Sequence, residues 1–350
     1  MRRYFILLAI VAQLAALAYM AGKREVILAT GQQIYLRTAP IDPRDPFRGD
    51  FVRLTYPLNA VYSKQIRGNV IDHLDDKGYQ VYAVLKLAEN DLYVMDFLTD
   101  QQSQDQITIK GQITNDRRWG RGRGAANVKY GLEQLFVEQG AGLKIERIRG
   151  TRSRIQVPME VQVAIGGDGT AVLRDFRWSE LGMQLEMLRM NRPNRGNNAN
   201  TGQNQAITTL SPKVKVSLKN VSDAALVIVD WGEHCGFKLV PVRWAMQTYT
   251  PVDTTCNPRP LAKQAFISLE PDQSYQAEMD LSKPRWHMLI KNNKGVTSAG
   301  EIGIDNNSDM FRIVYQSPKP SQFSQVTVAI QNIWQGQMPS RAFNARGRID

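Results

Sequence analysis

Residues 4–20 carry no charged side chain, and Gln13 is the one strongly polar residue among them. Arg2 and Arg3 precede this run, and Lys23, Arg24 and Glu25 close it. A helix needs about 17–25 apolar residues to cross a bilayer, so the run qualifies as a span. Read as a secretory signal, it offers Ala16-Leu17-Ala18 as a small-residue cleavage site. A buried helix of a soluble protein is a third reading. The expectation is an anchor over residues 1–24, touching the bilayer through residues 4–20. Both the anchor and the signal reading export the rest of the chain. The flanking charges nearly balance, so orientation rests on export more than on the positive-inside rule.

Export changes the meaning of the two cysteines, Cys235 and Cys256. In an oxidising compartment an even, sparse count predicts one disulfide. Closing so short a loop contributes about 3 kcal/mol in the chain-entropy model. The alternative is two buried thiols.

Past the anchor the text reads as strands. Apolar and polar residues alternate over 33–38, 51–56 and 107–113, the last around Gly111, and 79–87 and 91–97 are separated by Ala88-Glu89-Asn90, a hairpin-like spacing. Residues 155–165 and 170–178 flank Gly166-Gly167-Asp168-Gly169, a turn built from residues that tolerate positive φ. Residues 181–187 alternate too, although a short helix fits nearly as well. Residues 191–205 then lose all apolar periodicity and read as a linker. A second set of short segments follows at 214–218, 225–229, 237–242, 265–269, 275–281 and 311–315. Short strands with turns at that spacing predict a sandwich. The fold class expected is mainly β: an N-terminal transmembrane helix followed by two antiparallel β-rich domains, the second a sandwich. The boundaries are 25–190 for the first domain, 191–210 for a flexible linker, 211–335 for the second domain and 336–350 for a basic tail. With 350 residues, 43% of them hydrophobic, the chain can supply two cores.

The net charge is +11, and much of it is local. Between residues 110 and 154 lie eleven positive side chains and four negative ones. The densest part is Arg117-Arg118-Trp119-Gly120-Arg121-Gly122-Arg123-Gly124. In the cytosol such a segment would suggest arginines on nucleic-acid phosphates and a stacking tryptophan. Outside it, nucleic acid is not an expected partner. Arg117, Arg118, Trp119, Arg121 and Arg123 are then candidates for contact with anionic lipid or acidic polysaccharide. The bland alternative is a solvated hairpin tip.

Residues 36–56 read LRTAPIDPRDPFRGDFVRLTY. The two Asp-Pro pairs bias the backbone toward extended and turn forms. Asp50 can accept hydrogen bonds from loop amides. Arg44, Arg48 and Arg53 can pair with Asp42, Asp45 and Asp50. Gly49, Asp50, Phe51, Val52, Arg53, Leu54, Thr55 and Tyr56 resemble the motif of the GDYXXLXY family of membrane-anchored proteins, with Phe51 in place of its tyrosine. Tyr130-Gly131-Leu132-Glu133-Gln134-Leu135-Phe136-Val137 is a second match, followed by Glu138, Gly140, Gly142 and Glu146. The resemblance covers roughly residues 1–178. It implies an anchored extracytoplasmic β domain and no established activity. Members of that family tend to be encoded beside multi-pass membrane proteins, which the resemblance offers as partners. Candidate ligand contacts are Asp42, Asp45, Arg48, Asp50 and Arg53 in the first motif and Tyr130 and Glu133 in the second.

No complete catalytic constellation stands in the sequence. A serine–lysine protease needs a serine upstream of Gly49, and there is none. His73, His234 and His287 fall in no zinc-protease pattern. Glu233-His234-Cys235 looks metal-like only while Cys235 is reduced. No cofactor or metal is expected. The function expected is a membrane-anchored extracytoplasmic interaction module, a partner of other envelope membrane proteins at the inner membrane. The alternative is an envelope hydrolase acting on glycan or peptide, with Glu133, Glu138 and Glu146 as candidate acid and base.

Overall fold

The computed structural model describes residues 2–38, 51–114, 125–138, 145, 148, 154–189, 212–242, 248–252, 256, 263–291, 295, 297–302, 309–319, 332–345 and 348–349. The chain divides into two compact units. Unit 1 comprises Met1–Leu143 and Pro158–Trp178, and unit 2 comprises Lys144–Val157 and Ser179–Asp350.

Unit 1 begins with helix α1 (Arg2–Thr30) and continues through strands β1 (Gln32–Arg37), β2 (Phe51–Arg53), β3 (Ala60–Tyr62), β4 (Gln80–Leu87), β5 (Tyr93–Thr99), β6 (Thr108–Ile113), β7 (Ala125–Lys129), β8 (Gln134–Phe136), β9 (Met159–Ile165) and β10 (Ala171–Trp178). Its sheets have the orders β3-β7-β6-β4-β5, β1-β9-β10 and β2-β8. All the pairings are antiparallel. Strand β4 is covered on both faces, which is why Val81, Tyr82, Ala83, Val84 and Leu85 are all buried where strict alternation would expose every second one. Strand β9 is central in its sheet, and it carries Glu160, buried between two cross-strand arginines. Arg37 reaches one carboxylate oxygen at 2.6 Å and Arg177 reaches the other at 2.9 Å. The expected turn at residues 166–169 closes β9 onto β10, with the Gly166 amide on the Thr170 carbonyl and the Thr170 amide on Asp168 Oδ1.

Unit 2 contains β11 (Leu181–Arg189), β12 (Lys213–Asn220), β13 (Leu226–Val229), β14 (Phe237–Pro241), β15 (Thr248–Pro251), β16 (Phe266–Leu269), β17 (Ser274–Asp280), β18 (Met288–Lys291), β19 (Thr297–Gly300), β20 (Phe311–Gln316) and β21 (Gln337–Pro339). Its antiparallel sheets, β11-β12-β17, β13-β16, β14-β20-β21 and β15-β18-β19, enclose a main apolar core. Phe237, Phe311, Tyr315 and Phe343 are its largest fully buried side chains. The protein is therefore mainly β, with one N-terminal apolar helix and several antiparallel sheets, as its alternation predicts.

Three expected boundaries differ from the observed ones. The helix does not stop at residue 24 but runs to Thr30, because Ile27 is buried against Ala164 and Val172 of the first sheet. The first domain does not extend to residue 190. Strand β11 pairs along its length with β12, from Leu181↔Asn220 to Arg189↔Lys213, so it belongs to unit 2. Residues 336–350 are not a tail. Strand β21 pairs with β20, and Phe343 and Phe311 exchange both backbone hydrogen bonds, at 2.7 and 2.8 Å. Phe343 and Ala345 are fully buried, and that apolar burial outweighs the basic composition of the segment. The linker expected at 191–210 lies outside the described residues.

Candidate functional site

The two motif stretches, 74 residues apart from Tyr56 to Tyr130, meet in space. Strands β2 and β8 pair as Phe51↔Phe136, Val52↔Leu135 and Arg53↔Gln134, and the Leu54 amide extends the ladder onto the Glu133 carbonyl at 2.9 Å. Three-residue strands are too short to hold one another, and side chains complete the junction. Tyr56 is buried, and its hydroxyl donates to the Leu132 carbonyl at 2.9 Å. Tyr130 is buried, and its hydroxyl donates in the opposite sense to the Leu58 carbonyl at 3.1 Å. Each motif tyrosine thus satisfies a backbone acceptor of the other motif's loop, a group that would be costly to bury alone.

Glu133 and Asn59 lock the same junction. One Glu133 carboxylate oxygen accepts the Tyr130 amide at 2.7 Å and the Asn59 side-chain amide at 3.1 Å. Asn59 also donates to the Val128 carbonyl at 2.9 Å and accepts the Tyr56 amide at 2.7 Å. Burial pushes both phenols far above their ordinary range, and the Glu133 charge adds to the shift. Both hydroxyls therefore stay protonated and donate. Gly111 makes room for this arrangement: a Cβ there would lie 2.8 Å from the Tyr130 ring and 2.6 Å from a Val128 methyl. Chemically the junction holds a backbone geometry. Its donors and acceptors face one another.

Of the candidate ligand residues, the structure thus brings Tyr130 and Glu133 to the first motif. Arg53 is exposed on β2. Asp42, Asp45, Arg48 and Asp50 lie outside the described residues, as do Arg117, Arg118, Trp119, Arg121 and Arg123. Glu138 is exposed, and Glu146 is also outside the described residues. Asn59, which touches both motifs, had no signal in the sequence beyond its place three residues after Tyr56.

In unit 2, Cys235 and Cys256 form the expected disulfide, with Cα atoms 5.5 Å apart. That removes the metal-like reading of Glu233-His234-Cys235. His234 Nδ1 lies 2.8 Å from Asp230, a buried carboxylate that also accepts the Tyr275 hydroxyl at 2.7 Å and the Gly236 amide at 3.1 Å. The group organises the loop that carries Cys235. Sequence reasoning missed Asp230, which ends an apolar strand and looks there like an ordinary turn residue. Among the described residues no three His, Cys, Asp or Glu side chains cluster as a metal site.

The junction defines a class: a β domain led by an apolar helix and closed by two short motif strands that hydrogen-bond to each other. Residues 13–176 match the family model described as GDYXXLXY protein. The match takes in the helix from residue 13 and ends at Phe176, two residues before unit 1 gives way to unit 2. No curated protein and no solved structure matches the chain.

Proposed function

We propose that this protein is a single-pass module of the cell envelope, anchored in the inner membrane with both units on the periplasmic side, and that it acts by contacting another membrane protein. The observation that carries this reading is the inward use of the motif. Tyr56, Tyr130, Asn59 and Glu133 are engaged with backbone groups of unit 1, which suits a scaffold better than a proton-transfer site. The apolar helix supports the anchor: Arg3–Thr30 is long and apolar enough to span, and none of its most apolar stretch is buried within the protein. The disulfide fits an oxidising compartment. At the outer side of the junction Arg53 is exposed and Phe136 is 76% exposed, so the face of β8 offers a contact with apolar and cationic character.

A photo-crosslinker placed at Phe136 in intact cells tests the reading. The expected product is an adduct with an integral membrane protein, found by mass spectrometry. No adduct, together with cleavage of cell-wall glycan or peptide by the purified protein, would replace the module by an envelope hydrolase.

A further inference from the structure

The end of α1 is not a loose tether. Ile27 is buried between Ala164 of β9 and Val172 of β10. One turn earlier, Lys23 Nζ lies 2.8 Å from Asp168 at the tip of the β9–β10 turn. Arg174 of β10 donates to the Leu28 carbonyl at 3.2 Å. The Gly31 amide closes on the Ile27 carbonyl at 2.8 Å, and β1 starts at the next residue. Gly31 permits this abrupt exit: a Cβ there would lie 2.4 Å from the Ile27 carbonyl oxygen and 2.9 Å from that of Ile165. Helix and sheet are therefore joined with no intervening linker, through an apolar contact, an ion pair and backbone hydrogen bonds.

These contacts also set a direction. Ile27 packs on Ala164 near the end of β9, while Lys23, one turn nearer the apolar segment, reaches Asp168 in the turn beyond it. The C-terminal end of β9 thus advances along the helix toward the apolar run. Lys23 is three residues beyond Met20, about 4.5 Å along a helix axis. Asp168 and its turn then lie at the depth of lipid headgroups. Gln102 comes with them, since its side-chain amide donates to the Gly167 carbonyl at 2.8 Å. Between helix and turn runs an open groove lined by Tyr19, Gly22, Val26, Ile165, Gly166 and Gly167. It is continuous with the exposed apolar surface of α1, where Tyr19 is 74% and Val26 60% exposed. An aromatic ring, a lysine and an aspartate at that depth match the mixed polarity of the headgroup layer.

We propose that this face is a bilayer-contacting surface: the turn at residues 166–169 and Gln102 lie among phospholipid headgroups, and the groove beneath them seats lipid. The proposal rests on the reading of α1 as a membrane span. It makes the helix a stem that fixes the height and tilt of unit 1 over the membrane.

The test uses the full chain in vesicles of phosphatidylcholine and phosphatidylglycerol carrying either a headgroup spin label or an acyl-chain spin label. The native cysteines are paired, so single Gly167→Cys, Ala88→Cys and Leu14→Cys variants take a fluorophore selectively. A Cβ at Gly167 meets nothing within 4 Å, and Ala88 is exposed beside the Asn90 turn that Arg177 contacts at the other end of the β9–β10 hairpin. The label at position 14 should lose most of its emission to the acyl-chain quencher, which establishes insertion. The label at position 167 should lose most of its emission to the headgroup quencher while that at 88 retains it. In an Ile27→Asp background the contrast between 167 and 88 should collapse. Quenching at 14 without quenching at 167 would overturn the proposal and leave the anchor standing. Absence of quenching at 14 would overturn the anchor reading and the proposal with it. Disulfide crosslinks between copies at Gly22→Cys, with 167 unquenched, would assign the groove to a second copy and overturn it likewise.

Discussion

The motif junction of unit 1 and the core of unit 2 solve the same problem with different interactions. In unit 1, β2 and β8 are three residues each, and the loops around them are fixed by hydroxyl and amide side chains aimed at particular backbone carbonyls. In unit 2, strands from four sheets surround phenylalanines and aliphatic side chains whose contacts are non-directional, with Tyr315 adding a hydroxyl bonded to the Val229 backbone. A directional hydrogen bond requires a particular side chain at a particular position. An apolar core accepts many residues of about the right volume. The family match covers the junction and ends two residues before unit 1 does, although it also takes in Lys144–Val157 of unit 2. Unit 2 adds one covalent restraint, the disulfide between Cys235 and Cys256.

The sharpest way to break the comparison is Phe343→Ala. If the C-terminal segment belongs to the core, the substitution should cost about 3–5 kcal/mol, confined to unit 2. Chemical denaturation of the solubilised protein measures it, and a change below about 0.5 kcal/mol would return residues 336–350 to the status of a tail. Next in size, replacing Cys235 and Cys256 by serine together should cost about 3 kcal/mol, again in unit 2 alone. A transition in unit 1 that shifted equally would show that the two units do not melt independently.

Tyr56→Phe and Tyr130→Phe sharpen the other side. Each leaves a carbonyl of the junction without its donor and should cost about 1–3 kcal/mol in unit 1, with little change in shape. If both substitutions were neutral in melting yet abolished the crosslink at Phe136, the hydroxyls would belong to recognition rather than to folding. The smallest effect is expected at the stem. Asp168 is held down to about 2, chiefly by its hydrogen bond from Lys23. A carboxyl whose folded pKa is depressed contributes stability above its unfolded value, near pH 4, and loses it as pH falls toward the folded one. Both partners are 46% exposed, so solvent screening keeps the contribution small. Lys23→Ala should therefore flatten unit 1's acid limb between about pH 4 and pH 2 by that small amount. An unchanged acid titration in Lys23→Ala would mean that Asp168 gains nothing from the pair in solution.

Much of the fold was legible because its signals are local. The apolar run at residues 4–20, the period-two alternation and the glycine turn at 166–169 depend only on neighbours along the chain. The observed strands β4, β5, β6, β9, β10, β12, β14, β17 and β20 fall on segments read as strands from alternation, hairpin spacing and turn signals. The pairing of Cys235 with Cys256 was legible for a different reason: with two cysteines there is one possible bridge. Strands of three residues such as β3, β8 and β21 were not legible, since alternation needs more positions to show itself.

The candidate site was legible as two motifs and illegible as one junction. Sequence marks Tyr56, Tyr130 and Glu133, but hydrogen-bond partners 72 and 76 residues away leave no local trace. The same holds for β11, whose alternation is equally good in either unit. Its place was decided by the partner edge of β12, in register over its whole length. Residues 336–350 read as a basic tail because three arginines stand against one acidic residue, and only packing reveals that Phe343 and Ala345 turn inward while the backbone pairs with β20. By itself, then, the sequence determined the apolar helix, the β class, the single disulfide and the motif residues. The tertiary structure decided which strand edges meet, where one unit ends and that the helix is clamped to its sheet through Ile27 and Lys23. The reason is physical: periodicity sets which face of an element is apolar, while the choice of partner depends on non-local hydrogen bonds and shape that no window of the chain contains.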